Sequence, residues 1–118
     1  MKYKGSCHCG KIAFEVEGTI DVALSCNCSL CSRKGALLWL VSRENLTLLS
    51  ADDAAGTYTF NKHVVRHRFC PRCGIQPYSE NLERLDANGN RMTAINLRCL
   101  DGIDLSTIPM REFNGRGL

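Results

Sequence analysis

The chain is predicted to fold as an all-β or mostly β domain whose loops converge on metal. Three observations predict this. Apolar residues recur in short alternating or continuous segments of strand length, and helical periodicity is weak throughout. Seven of the eight cysteines also fall into three tight clusters: Cys7 and Cys9; Cys26, Cys28 and Cys31; Cys70 and Cys73.

The elements follow in order. Lys11 to Glu17 alternates polar and apolar residues, the mark of a half-buried strand. Around Cys28 to Lys34 one short helical turn is expected. Leu37-Leu38-Trp39-Leu40-Val41 is a continuous apolar run short enough to be a core strand. Leu46 to Leu49, Thr57 to Phe60, Val64 to Phe69 and Met92 to Leu97 read as further strands. Asn88-Gly89, within Asp86 to Asn90, is a hairpin-turn signal. Gly10 and Gly74 each directly follow a cysteine pair, where a chain wrapping a metal must turn without a side chain in the way.

The cysteine spacing carries the chemistry. Two thiols one or two residues apart can grip one ion from a tight turn, and two such pairs close a tetrahedral zinc site. Cys7, Cys9, Cys70 and Cys73 are therefore assigned to a structural zinc. Its two halves lie about sixty residues apart, so metal binding energy becomes folding energy. Cys26, Cys28 and Cys31 remain. Three thiolates leave the fourth position of a zinc ion to water or substrate, as in catalytic sites. The alternative is that Cys99 or a histidine closes this second site. Cys99 itself sits in an apolar context, Asn96-Leu97-Arg98-Cys99-Leu100, and reads as a buried core thiol, with ligand or redox nucleophile as alternatives.

The other polar residues are less specific. His8 is expected to point away from the metal. Extended through Lys62 to Arg68, a strand would put His63 and His67 on one face with Val65. Lys62, Arg66 and Arg68 would lie on the other, either an anion site or a solvated face. Carboxylates are scattered, with no pair placed for acid–base work. Gly115-Arg116-Gly117 is read as a terminal tail.

Size and composition suit one domain spanning 1–118, with a core small enough to benefit from a metal staple. Hydrophobic residues make up 44% and charged residues 23%, ordinary for a globular protein. No apolar run approaches the roughly 20 residues that span a bilayer. Met1 to Gly5 lacks the apolar segment of a secretory signal, so a cytoplasmic location is expected, where clustered cysteines bind metal rather than form disulfides. The formal charge of +3 is not a nucleic-acid signature. Seven thiolates remove seven charges and two zinc ions restore four, leaving zero.

Gly5-Ser6-Cys7-His8-Cys9-Gly10, Cys26-Asn27-Cys28-Ser29-Leu30-Cys31 and Phe69-Cys70-Pro71-Arg72-Cys73-Gly74 resemble the glutathione-dependent formaldehyde-activating enzyme family. This family is also called S-(hydroxymethyl)glutathione synthase-like and includes the centromere protein V-type domains. The resemblance runs from about Gly5 to Leu105, with Tyr58-Thr59-Phe60 and Asn96 to Leu105 as supporting matches. It implies twisted, mainly antiparallel sheets around zinc, like those of a Rab-binding exchange chaperone and of methionine sulfoxide reductase B. It also implies structural ligands at Cys7, Cys9, Cys70 and Cys73 and catalytic-zinc ligands at Cys26, Cys28 and Cys31.

The expected function is then a zinc-dependent carbon–sulfur lyase. It would add a small thiol, glutathione or similar, to formaldehyde or a related aldehyde. Glutathione carries two carboxylates, for which Arg33, Lys34, Arg66 and Arg68 are the candidate partners by charge alone. The alternative is a zinc-stapled binding module or thiol carrier without activity. The expected partners are a small thiol and an aldehyde, with neither nucleic acid nor membrane.

Overall fold

Alternation along the strands determines how the chain packs in the computed structural model, which describes residues 1–117. Strands β1 (Lys2–Ser6), β2 (Ala13–Glu17), β3 (Ala23–Cys26), β4 (Leu38–Ser42) and β5 (Leu46–Leu48) occupy the first half, with one helical turn, α1 (Cys31–Lys34). The second half contains β6 (Gly56–Tyr58), β7 (Val65–Phe69), β8 (Tyr78–Leu85), β9 (Arg91–Asn96) and β10 (Met110–Phe113). A three-stranded antiparallel sheet has the order β1-β2-β5, and a seven-stranded sheet the order β10-β3-β4-β9-β8-β7-β6. Every pairing is antiparallel except β10 with β3, which is parallel. The mainly β expectation is met, with that one mixed edge.

The two sheets enclose the core. Phe14 and Val16 of β2, Trp39 and Val41 of β4, Tyr78 of β8 and Ile95 of β9 are buried together with Ile12, Leu97 and the thiols Cys7 and Cys70. The continuous apolar run at β4 has a more specific meaning than a core strand. Trp39 and Val41 enter the core, while Leu38 and Leu40 alternate onto the opposite, half-buried face. The Asn88-Gly89 turn joins β8 to β9 as expected, with the Asp86 amide donating to the Asn90 carbonyl at 2.8 Å.

Four strands lack a clear signal in the sequence: β1, β3, β8 and β10. β8 is instructive, because its residues Tyr-Ser-Glu-Asn-Leu-Glu-Arg-Leu look like exposed loop or helix. Glu80 can be buried there, 10% exposed, because Arg43, Arg66 and Arg68 all reach it, at 3.3, 3.2 and 3.2 Å. Arg68 is 4% exposed and also bonds Asp52 at 3.0 Å, and its guanidinium donates to the carbonyls of Asp52 and Ala55. It thereby pins the turn before β6 to β7. Glu80→Gln leaves a buried guanidinium paired only with Asp52, which is 68% exposed. The expected loss is about 3 kcal/mol of unfolding free energy, because breaking a buried pair strands the surviving charge. A shift in denaturant midpoint worth less than about 1 kcal/mol would show that the network is not stabilising.

The strand predicted over Val64 to Phe69 begins at Val65, and this corrects the histidine reading. Asn61 and His63 adopt left-handed backbone angles, φ 57° and 58°, and the His63 amide closes a turn on the Phe60 carbonyl. His63 therefore shares no strand face with His67. Its Nδ1 lies 2.7 Å from the Thr59 hydroxyl instead. β6 likewise ends at Tyr58 rather than Phe60, because Phe60 turns to stack on His67 with ring centroids 5.4 Å apart.

Candidate metal centres

Two hairpin knuckles build the first centre, and they follow the same local plan. The Cys7 amide donates to the carbonyl of Ile12, five residues on, and the Cys70 amide to that of Ile75. Gly10 and Gly74 donate back to the carbonyls of Cys7 and Cys70, with φ of 84° and 83°, a conformation that glycine adopts without strain. The four sulfurs of Cys7, Cys9, Cys70 and Cys73 lie within 4.8 Å of one another. Cys9 Sγ is 3.7 Å from Cys7 Sγ and 3.6 Å from Cys70 Sγ. A metal–sulfur bond of about 2.3 Å in a tetrahedron sets sulfurs about 3.8 Å apart, so the donor set fits a four-thiolate ion. Backbone amides reach two of the sulfurs: Ile12 donates to Cys7 Sγ at 3.3 Å and Cys73 to Cys70 Sγ at 3.4 Å. Burial opposes ionisation of Cys70, but the amides of Cys73 and Arg72 bring its thiol below the ordinary value. The Ile75 amide, followed by that of Cys9, draws Cys73 down to about 6. At Cys9 the Lys11 amide favours the thiolate, but burial and the three neighbouring thiols outweigh it and raise the thiol to about 11.

The second centre lies where β3 runs out at Cys26 and α1 begins at Cys31. The sulfurs of Cys26, Cys28 and Cys31 also fall within 4.8 Å of one another, and among the described residues no further cysteine, histidine or carboxylate joins them. Both clusters could therefore hold a metal ion, one with four protein donors and one with three. Burial opposes ionisation of Cys28, but the Cys31 amide, 3.3 Å from its sulfur, brings the thiol below its ordinary value. Burial pushes Cys31 up to about 12, helped by its contact with Cys28.

The four candidate cations separate. Lys34 lies beside the second cluster, half-buried, with Nζ donating to Gln76 Oε1 at 3.0 Å. Burial lowers its ammonium pKa, while the charges of Cys31, Cys28, Cys26 and Cys99 oppose the shift. Arg33 turns back onto its own loop, donating to the Ser29 carbonyl at 2.7 Å. Arg66 and Arg68 are not brought to the thiols. They occupy the Glu80 network, so their assignment to substrate carboxylates is corrected. Cys99 ends a short 3-10 turn rather than a strand and is half-buried. Burial, then the charges of Cys7 and Cys73, raise it to about 11. It joins neither cluster.

Two parts of this region escaped the sequence reading. The first is the segment read as a tail. Asn27, between two of the cysteines, accepts from the Arg116 amide at 2.9 Å, donates through Nδ2 to Asn114 Oδ1 at 3.0 Å, and donates its own amide to the Phe113 carbonyl. These bonds hold Gly115 so close that a Cβ there would run into Cys26 Sγ. The second is a trough of about 380 Å³ on the outer face of the seven-stranded sheet, with the three thiols among its lining residues. Paired register explains it. His67 faces Ser79, Ser79 faces Ala94 and Ala94 faces Leu40, so two small residues form the floor between an imidazole and a leucine. No local pattern in the sequence announces either feature, because each joins segments remote in the chain.

The family model described as glutathione-dependent formaldehyde-activating enzyme matches residues 2–113. A crystal structure of a Rhodobacter sphaeroides protein, a structural-genomics target, is similar with a TM-score of 0.74 and 27% sequence identity. The similarity covers 92% of this chain and 99% of that one. Among the described residues no helix is long and apolar enough to cross a membrane.

Proposed function

The chain belongs to the glutathione-dependent formaldehyde-activating enzyme family, and from that premise we propose that it is a zinc-dependent carbon–sulfur lyase joining a small thiol to an aldehyde. One observation carries the reading: three clustered thiols with no fourth protein donor among the described residues, opening onto a trough large enough for a small molecule. A zinc-stapled binding module would be expected to close this second site with a fourth donor.

In this reading Cys7, Cys9, Cys70 and Cys73 hold a structural zinc, and Cys26, Cys28 and Cys31 hold a catalytic one. Zinc at the three thiols supplies positive charge that favours the thiolate form of a nearby thiol. The chain's own residues do the rest. Lys34 adds a second positive charge beside the cluster, and Gln76 fixes where that charge sits. Asn27 holds the segment from Phe113 to Arg116 against one side of the cluster, which narrows the approach. The apolar walls lower the polarity around the reacting carbon. In the addition the sulfur pair forms the carbon–sulfur bond, the carbonyl π pair moves to oxygen, and oxygen gains a proton in place of the one the thiol lost. Holding the two reactants together is the main contribution asked of the protein. Glutathione and formaldehyde are the proposed substrates, with Lys34 and Arg33 nearest to the thiol's charged groups.

Zinc per chain, measured with and without glutathione on protein purified without chelator, tests the reading. Two zinc ions are expected, with Cys26→Ser reducing the count to one and glutathione adding a sulfur to the coordination of the second. One zinc, unaffected by Cys26→Ser and unresponsive to glutathione, would instead make the chain a stapled binding module.

A further inference from the structure

The trough beside the three thiols is larger and more apolar than formaldehyde requires. Leu24, Leu38, Leu40, Val65, Met92 and Phe60 supply most of its walls, and Ser79 and Ala94 its floor. It is a poor environment for the ionised ends of glutathione, since burying a charge without a partner is costly. Arg66 and Arg68 face the other side of the sheet, and Lys34, beside the thiols, is not among the residues that line the trough. Charged lining residues remain at Lys62, Glu83 and Arg84, which belong to the loop before β7 and the far half of β8.

His67 is the second observation. It is 8% exposed, lines the trough and stacks on Phe60, and its buried Nδ1 has no hydrogen-bond partner. A partner on one ring nitrogen ordinarily sets the tautomer. Without one on Nδ1, which is closed off from solvent, the tautomer is free, so Nε2, the ring nitrogen that is not sealed in, can donate to or accept from an oxygen that enters the trough. Burial, reinforced by the charge of Lys34, lowers its pKa to about 4, so it meets that oxygen as a neutral imidazole.

We propose that the aldehyde partner of this site carries an apolar substituent of several carbons, which lies along Leu40, Ala94 and Met92 while its oxygen bonds His67. This rests on the lyase reading and specifies its substrate class. The charged ends of the thiol partner stay outside the trough.

Stable analogues test the substituent without turnover. S-hexylglutathione stands in for the adduct of a six-carbon aldehyde and S-methylglutathione for that of formaldehyde, both titrated calorimetrically into zinc-loaded protein. Each methylene buried is worth roughly fourfold in affinity, so the hexyl compound is expected to bind at least about tenfold tighter. Ala94→Leu fills the floor and is expected to abolish that difference while leaving the methyl compound within about twofold. His67→Leu is expected to spare S-hexylglutathione, which has no hydroxyl, and to weaken the glutathione–hexanal adduct at least about fivefold. Equal affinity of the two analogues for the unmodified protein, or a preference untouched by Ala94→Leu, would overturn the proposed substrate class while leaving the lyase reading intact. Equal losses of both ligands in His67→Leu would overturn the role of the imidazole. Binding of neither analogue nor glutathione would remove the lyase reading and this proposal together.

Discussion

Cys70→Ser is expected to unfold the protein, whereas Cys28→Ser is expected to leave it folded. Cys70 is fully buried in the core cluster and joins the knuckle after β7 to the one after β1. A structural zinc contributes on the order of 10 kcal/mol in small zinc-binding units, comparable to the whole stability of a domain this size. Losing one of four thiolates therefore removes most of what holds the first knuckle to the second. The measurement is near-ultraviolet circular dichroism and urea unfolding of the two variants and of protein treated with a strong chelator. Cys70→Ser and the chelated protein are expected to show no cooperative transition at 25 °C. Cys28→Ser, altering a site at the end of the sheet, is expected to stay within about 2 kcal/mol of the unmodified chain. A cooperative transition of near-normal midpoint in Cys70→Ser would mean that the first centre is not the staple.

The second large effect is on activity. Cys28→Ser is expected to lower the acceleration of adduct formation over the uncatalysed background by at least about 100-fold, the scale of losing a metal's several kcal/mol of charge stabilisation. Zinc content is expected to fall from two to one in the same sample. Cys28 is the informative position because the Cys31 amide already biases its sulfur toward the thiolate, so serine removes both a donor and its preformed charge. Cys99→Ser serves as the control: its thiol belongs to neither cluster and is held protonated by burial. Its rate is expected to stay within about twofold. Unchanged acceleration in Cys28→Ser would separate the chemistry from this cluster altogether.

Much of the site was legible because its signal is local. Thiols one or two residues apart meet on one turn whatever the rest of the fold does. Both cysteine groupings were therefore read from spacing, and the structure brings Cys7 and Cys9 together with Cys70 and Cys73. The alternating strand at β2 and the turn between β8 and β9 were legible for the same reason. β8 was not, because a buried Glu80 makes sense only once three arginines from two other segments converge on it.

By itself, then, the sequence determined the cysteine pairs and triplet, the mainly β class and the family resemblance, all of which depend on neighbours in the chain. Tertiary structure alone decided which cations face the thiols, where Gly115 lies and what surrounds His67. Arg66 and His67 are adjacent in sequence yet point to opposite faces of β7, and only the register with β8 assigns one to Glu80 and the other to the trough. Pairing between distant strands sets that register, so single-residue chemistry could name these side chains as candidates but could not say which way each would point.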